Sequence, residues 1–437
     1  MLVILSRRRR ISDLQTPRFF ASLRMTYINM ILLKNIGRLV TMEPSAERLG
    51  ALGVIENACV RIDEDLISWM GPSKDLPEAT DDYIIDCDGR VVLPGLVECH
   101  THLVFAGSRE NEFRMRAEGK TYQEIAKAGG GILSTVNATR AASEDALLEL
   151  AKHRADEFLS RGVTTVEVKS GYGLDLETEE KILRVARRLG EEHEVDVVGT
   201  FLGAHVVPQE YKDRRADYVK LVTSEMLPRI AEQKLAKFCD VFVEEGAYTA
   251  DEARTIAEAA AKYGLRMKLH VDQFGDGGGG ELAAEVNAVS GDHLDYTSDS
   301  GIEAMAKAGV VGVLLPTATL FAKSGRYPAA RAMADAGMKV AVSTDFNPGT
   351  SPTTDLLLNA TLASMQMGLT ADEALRAVTS VSADALALTD GAGRIAPGKR
   401  ADLVSFDVPH EDYLLYRFGT NHARHIIKAG NIHTRGD

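Results

Sequence analysis

The sequence predicts an α/β chain: a (β/α)8 barrel of the TIM type with a small β-sandwich-like domain built from both chain ends. Three observations predict it. Between about residues 93 and 385, strand-length apolar runs alternate with helix-length periodic segments. Those runs are apolar almost without interruption, the pattern of parallel strands covered on both faces. The two flanks read instead as short β-type runs broken by Gly, Asp and Pro. An open doubly wound sheet competes, but the alternating region has the length of a barrel, about 250 residues or more.

Taken in order, residues 1–25 open with MLVILS and continue into Arg7 to Arg10. A secretory signal carries its charge before its apolar core, so the order is wrong for one. The segment reads as a disordered extension, or as an upstream start with Met25 or Met30 as the working start, and an Arg-rich, acid-poor transit peptide is the alternative. Residues 26–92 form the first part of the small β domain, through ILLKNIGRLVTM, ACVRID and DYIIDCDGRVVLPG. The barrel occupies 93–385. GVTTVEVK precedes LETEEKILRVARRLGEEH, and DVVGTFLGAH precedes a stretch ending in PRIAEQKLAKF. DVFVEE precedes TADEARTIAEAAAKY, and LRMKLHVD, VVGVLLP and MKVAVSTD continue the series. Residues 386–437 return to β-type text in GRIAPGKRADLVSFD and HARHIIKAGNI, completing the small domain.

Composition bounds the function. The 437 residues are 45% hydrophobic and 26% charged, as expected of a soluble globular protein. The net charge of -13 repels phosphate backbones and argues against a nucleic-acid partner. No run reaches the roughly 18 uninterrupted apolar residues of a membrane helix. Cys59, Cys87, Cys99 and Cys239 form no CxxC pair, so a reducing compartment, the cytoplasm, is expected.

The polar residues that end the strands carry the chemistry, because barrel enzymes react at the C-terminal ends of their strands. PGLVECHTHLVFAG places His100 and His102 two apart. On an extended strand both point to one side, about 7 Å apart by the rise per residue. LRMKLHVDQF puts His270 at the end of another apolar run, and VAVSTDFNPG puts Asp345 where its run stops. Each alone has an ordinary explanation: a surface pair, a satisfied rim histidine, a turn-capping aspartate. Together they offer enough donors for a catalytic Zn2+ or Fe2+ with one position left open. His293 in AVSGDHLDY and His205 in FLGAHVVP sit at further strand ends. GDGGGG at 275–280 lacks the Lys-Ser/Thr of a phosphate loop and reads as a flexible loop near the pocket.

At HTH, LHVDQF and STDFNPG the chain resembles the metal-dependent amidohydrolase superfamily. Within it, the text from about residue 31 resembles the imidazolonepropionase family. The narrower matches are PGLVECHTHLVFAGSRENEFRMRAEGKTYQEIAKAGGGILSTVNATR, EVKSGYGLDLETEEKILRV, FLGAHVVPQEY, GDHLDY and STDFNPGTSP. The resemblance implies hydrolysis of 4-imidazolone-5-propanoate to N-formimino-L-glutamate in histidine degradation. It puts the metal ligands on His100, His102, His270 and Asp345, with one divalent ion, Zn2+ or Fe2+. It puts substrate contacts on Arg109, Tyr172, His205, Gln273 and Asn347, with Gly349 and Thr350 lining the pocket end. His293 and Asp345 carry the catalysis, and a homodimer is implied. Two positions depart from the family: Gln273 stands where some members carry Glu, and Thr350 where Ser is usual.

The implied substrate pairs a cyclic amide with a propionate, which calls for a guanidinium fork such as Arg109 would supply. Another cyclic amidohydrolase or a deaminase of the same superfamily is the alternative. Two-metal members commonly bridge their ions with a carboxylated lysine, and Lys169 lies near a strand end. The SGYGL text after it favours a single ion.

Overall fold

The structure, a computed structural model, describes residues 30–43, 50–78, 83–120, 124 and 130–434. The expected extension at 1–25 lies outside them. Two sheets organise the chain. The first strands are β1 (Met30–Val40), β2 (Val54–Asp63), β3 (Leu66–Pro72), β4 (Tyr83–Asp86) and β5 (Val91–Pro94). They join β14 (Leu403–Phe406), β15 (Ala423–Lys428) and β16 (Asn431–Thr434) in one eight-stranded mixed sheet. The two chain ends meet where β5 pairs antiparallel with β14. Ile31, Leu33, Val60, Ile62, Val92, Leu403 and Ile427 pack its own core.

The run VVLPGLVECH serves both sheets. Its first half is β5; Pro94–Gly95 breaks it, and β6 (Leu96–Glu98) opens the barrel. The small sheet therefore reaches two residues past the expected division at 92, because one apolar run, interrupted only at Pro94–Gly95, is divided between two cores.

The second sheet runs in chain order through β6, β7 (Val163–Lys169), β8 (Asp196–Ala204), β9 (Phe238–Val243), β10 (Arg266–Val271), β11 (Ser290–His293), β12 (Val311–Leu314) and β13 (Val340–Val342). Every pairing is parallel. The first and last strands meet just beyond their ends, where Thr101 bridges Phe346 and His102 N–H donates to Phe346 O at 2.9 Å. This closes the sheet into a barrel at its C-terminal rim.

The helices begin where short polar side chains replace missing backbone partners. Ser143 accepts from Ala146 N–H ahead of Glu144–Ser160, and Asp175 from Thr178 N–H ahead of Leu176–Glu192. Thr249 and Glu252 cap each other's backbone at the start of Ala250–Lys262. At the opposite end of the barrel, Asp196 meets Arg400 at 2.6 Å and Lys428 at 2.8 Å, tying the small sheet to the start of β8. Among the described residues no helix is long and apolar enough to cross a membrane.

Candidate functional site

The C-terminal rim gathers five buried imidazole and carboxylate side chains from four strands. His100 and His102 follow β6, His270 and His293 close β10 and β11, and Asp345 follows β13. Each is at most 3% exposed. Their donor atoms form two overlapping triads. The atoms of His100, His102 and Asp345 lie within 4.8 Å of one another, and so do those of His100, His270 and His293. His100 belongs to both, and its ring centroid is 4.5 Å from that of His270.

Backbone conformation turns two of these side chains inward. His293 has φ 79° and Asp345 φ 54°, the left-handed region that non-glycine residues seldom enter. Such strain persists only where the surroundings over-determine it, and it concentrates at active sites.

The donor chemistry fits a cation. Burial first, and then the Lys169 ammonium and the crowding of imidazoles against one another, push His100, His102 and His270 well below the usual imidazole range. They are therefore neutral, the form that ligates metal. His100 Nδ1 lies 2.7 Å from Asp292 Oδ2 and takes the proton there, which leaves Nε2 a bare acceptor. That Nε2 is buried with no hydrogen-bond partner, as are His102 Nδ1 and His270 Nε2, while His270 Nδ1 lies 3.0 Å from Asp240 Oδ2. Asp345 Oδ1 lies 3.4 Å from His100 Nε2 and 3.5 Å from His102 Nε2, separations that suit donors facing a shared ion. Burial pushes the Asp345 carboxyl well above its usual range. A cation would supply the counter-charge it lacks.

His205 stands beside this group, its ring stacked on His102 at 5.2 Å between centroids. Its Nδ1–H donates to Gly171 O at 3.0 Å. A Cβ at Gly171, where φ is 108°, would press on the His205 ring, so this approach requires glycine. Tyr172 follows, 5.6 Å from His102 and 5.7 Å from His205 between ring centroids. Burial raises its phenol, leaving the hydroxyl protonated as a donor.

The remaining predicted residues line the loops. Arg109 makes a bidentate pair with Glu112, Nε to Oε1 at 2.8 Å and Nη2 to Oε2 at 2.7 Å. A Cβ on Gly349 would overlap its guanidinium, so the two loops touch there. Asn347 spends its amide within its own turn: Oδ1 accepts from Gly349 and Thr350 N–H, and Nδ2 donates to Asp345 O and Thr350 Oγ1. Gln273 is half-buried, and its backbone N–H donates to Glu244 at 2.9 Å. Its side chain makes no hydrogen bond to another described residue. The GDGGGG run is folded around a carboxylate. Gly277, Gly279 and Gly280 N–H all donate to Asp272.

Beneath the histidines lies a charged layer of which the sequence reading singled out only Lys169. Lys169 Nζ is 2.7 Å from Asp240 Oδ2, 3.1 Å from Glu167 Oε2 and 3.3 Å from Asp292 Oδ2. Lys268 Nζ is 3.1 Å from Glu167 Oε1. Burial opposes the charge on Lys169, yet the carboxylates outweigh it and hold the ammonium above its usual range. The strand register builds the layer, setting Lys268 against Asp240 and Ser290, and His270 against Asp292. Its trace in the sequence is polar residues two apart inside apolar strands: Glu167 and Lys169, Lys268 and His270, Ser290 and Asp292.

A model of the amidohydrolase family matches residues 91–434. An imidazolonepropionase from Geobacillus kaustophilus is 48% identical over 413 residues, covering 92% of this chain and 97% of that one. Another, from Paracoccus denitrificans, is 48% identical over 396 residues, covering 90% and 98%. Among solved structures, a triazine hydrolase variant superposes with a TM-score of 0.69 at 18% identity, covering 92% of this chain and 94% of that one. N-isopropylammelide isopropylaminohydrolase from Burkholderia multivorans gives 0.64 at 22% identity, covering 92% and 98%. These structural likenesses concern the fold.

Proposed function

The chain belongs to the amidohydrolase family and groups there with the imidazolonepropionases; from that premise we propose that His100, His102, His270 and Asp345 hold one divalent ion, zinc or iron(II). The reaction is hydrolysis of the ring C–N bond of 4-imidazolone-5-propanoate to N-formimino-L-glutamate. The observation that carries the site is the convergence of buried donors at the barrel rim: the partnerless Nε2 of His100 and the Nε2 of His102 both face Asp345 Oδ1, and His270 joins His100 in the adjoining triad.

When bound, a divalent cation acidifies a coordinated water and polarises a carbonyl. The chain's own residues supply the rest. Asp345 turns Oδ1 to His100 and His102, which leaves Oδ2 to take the proton from the attacking water. Burial lowers His293 to about 4, so its ring enters the reaction neutral. It orients the water or stabilises the developing oxyanion, then helps protonate the leaving ring nitrogen. Tyr172 and His205 border the ring, and Gln273, a hydrogen-bonding group with no useful proton, contacts it. Asn347 and Thr350 shape the pocket end. The four cysteines are buried and free, which supports the cytoplasm as the working compartment. A homodimer completes this reading.

The direct test is to supply imidazolone propionate, follow the loss of its ultraviolet absorbance, and repeat after chelation and after returning Zn2+ or Fe2+. Turnover that survives full removal of metal would sink the proposal.

Arg109 is assigned to the substrate propionate. Arg109→Ala should raise KM by about 10- to 100-fold, the scale of a lost charge-assisted hydrogen bond, with metal content unchanged. Gly349→Ala should move KM in the same direction, because its Cβ would displace the guanidinium. Saturation curves identical to the parent enzyme would remove both residues from the site.

A further inference from the structure

We propose that the Lys169 ammonium is a built-in cation standing where a second metal ion would otherwise bind, and that it limits the centre to one ion per chain. This rests on the one-ion reading above. Asp240, His270 and Asp292 have donor atoms within 4.8 Å of one another and are all buried, a set able to hold an ion of its own. The ammonium lies against that set, 2.7 Å from Asp240 Oδ2 and 3.3 Å from Asp292 Oδ2. Glu167 contributes a third carboxylate contact at 3.1 Å. Lys169, Glu167, Asp240 and Asp292 are each 0% exposed, so water does not screen them.

The same two oxygens also face the histidines. Asp292 Oδ2 is 2.7 Å from His100 Nδ1, and Asp240 Oδ2 is 3.0 Å from His270 Nδ1. The ammonium thus compensates the carboxylates that orient two of the assigned ligands, and it is a positioning residue toward the bound ion. Carboxylation of Lys169 would replace a cation by an anion among three carboxylates in a dry interior. That arrangement is repulsive without two ions to neutralise it. Deleting the ammonium has the opposite consequence. It leaves Asp240 and Asp292 facing a vacated space with only Lys268 of the two buried ammonium groups remaining in the layer, and a divalent cation relieves them.

The experiment counts ions. Full-length protein and Lys169→Ala are loaded with excess Zn2+, desalted and analysed by elemental mass spectrometry, with circular dichroism to verify folding. The parent should carry one zinc and folded Lys169→Ala two. One zinc in folded Lys169→Ala overturns the role of Lys169 while leaving the one-ion site intact. No zinc in the parent overturns the metal-centre reading itself. If Lys169→Ala does not fold, the parent decides the matter by zinc titration and by 13C NMR after exposure to 13C-bicarbonate. One buried zinc and no carbamate resonance support the proposal, whereas a second zinc or a carbamate resonance overturns it.

Discussion

Asp345→Asn is expected to abolish metal retention and to lower kcat/KM by about three orders of magnitude or more. The reason is the size of what the ion supplies: it lowers the pKa of a coordinated water by many units, toward about 7, and a factor of ten in rate costs only about 1.4 kcal/mol. The same substitution should leave the metal-free protein as stable as its parent, or more so. Burial already disfavours a charged carboxyl at this position, and an amide of the same shape removes that penalty. Asparagine also tolerates the positive φ of 54° found there. Elemental analysis, thermal melts in chelator and steady-state kinetics report the three quantities separately. Full activity with metal retained would show that Asp345 is neither ligand nor proton acceptor.

His293→Ala is expected to keep the ion and to lose about 10²- to 10⁴-fold in kcat, the usual yield of a positioned acid–base group. This variant also separates the two donor triads. His293 lies as near to His100 and His270 as a ligand would. If His293→Ala loses metal, the ion is held by that triad and His102 and Asp345 take other roles. Because His293 has φ 79°, His293→Asn is the better control for backbone strain. Equal losses in the two variants would assign the effect to the imidazole. Unchanged kcat with the ion bound would remove His293 from the chemistry.

Much of this site was legible one strand at a time. HTH, LHVD and STDF each mark the place where an apolar run stops at a polar residue, and in a parallel barrel those places share one rim. The helix starts were legible too, since Ser143, Asp175 and Thr249 stand where caps are needed. Pairing between distant residues was not legible. Glu112 lies close to Arg109 in the sequence, yet nothing in the text marks it as the carboxylate that clamps the guanidinium. Gly349 reads as part of a turn, and only the packed loops show that a side chain there would strike Arg109. The amide of Asn347 is free in the sequence but committed to its own turn in the fold. The glycine run after Phe274 became a cradle once Asp272 was placed inside it.

Read alone, the amino-acid order determined the barrel, the two-ended small sheet, the family and which side chains reach the rim. Each of those depends on local period, on turn residues or on motif spacing, all of which are written along the chain. Only the tertiary structure decided that His100 leans on Asp292, that His270 faces Asp240, and that one ammonium lies between those two carboxylates. Those choices depend on the register between neighbouring strands and on exclusion of water from the barrel interior. Both are properties of the closed sheet, and no single strand contains them.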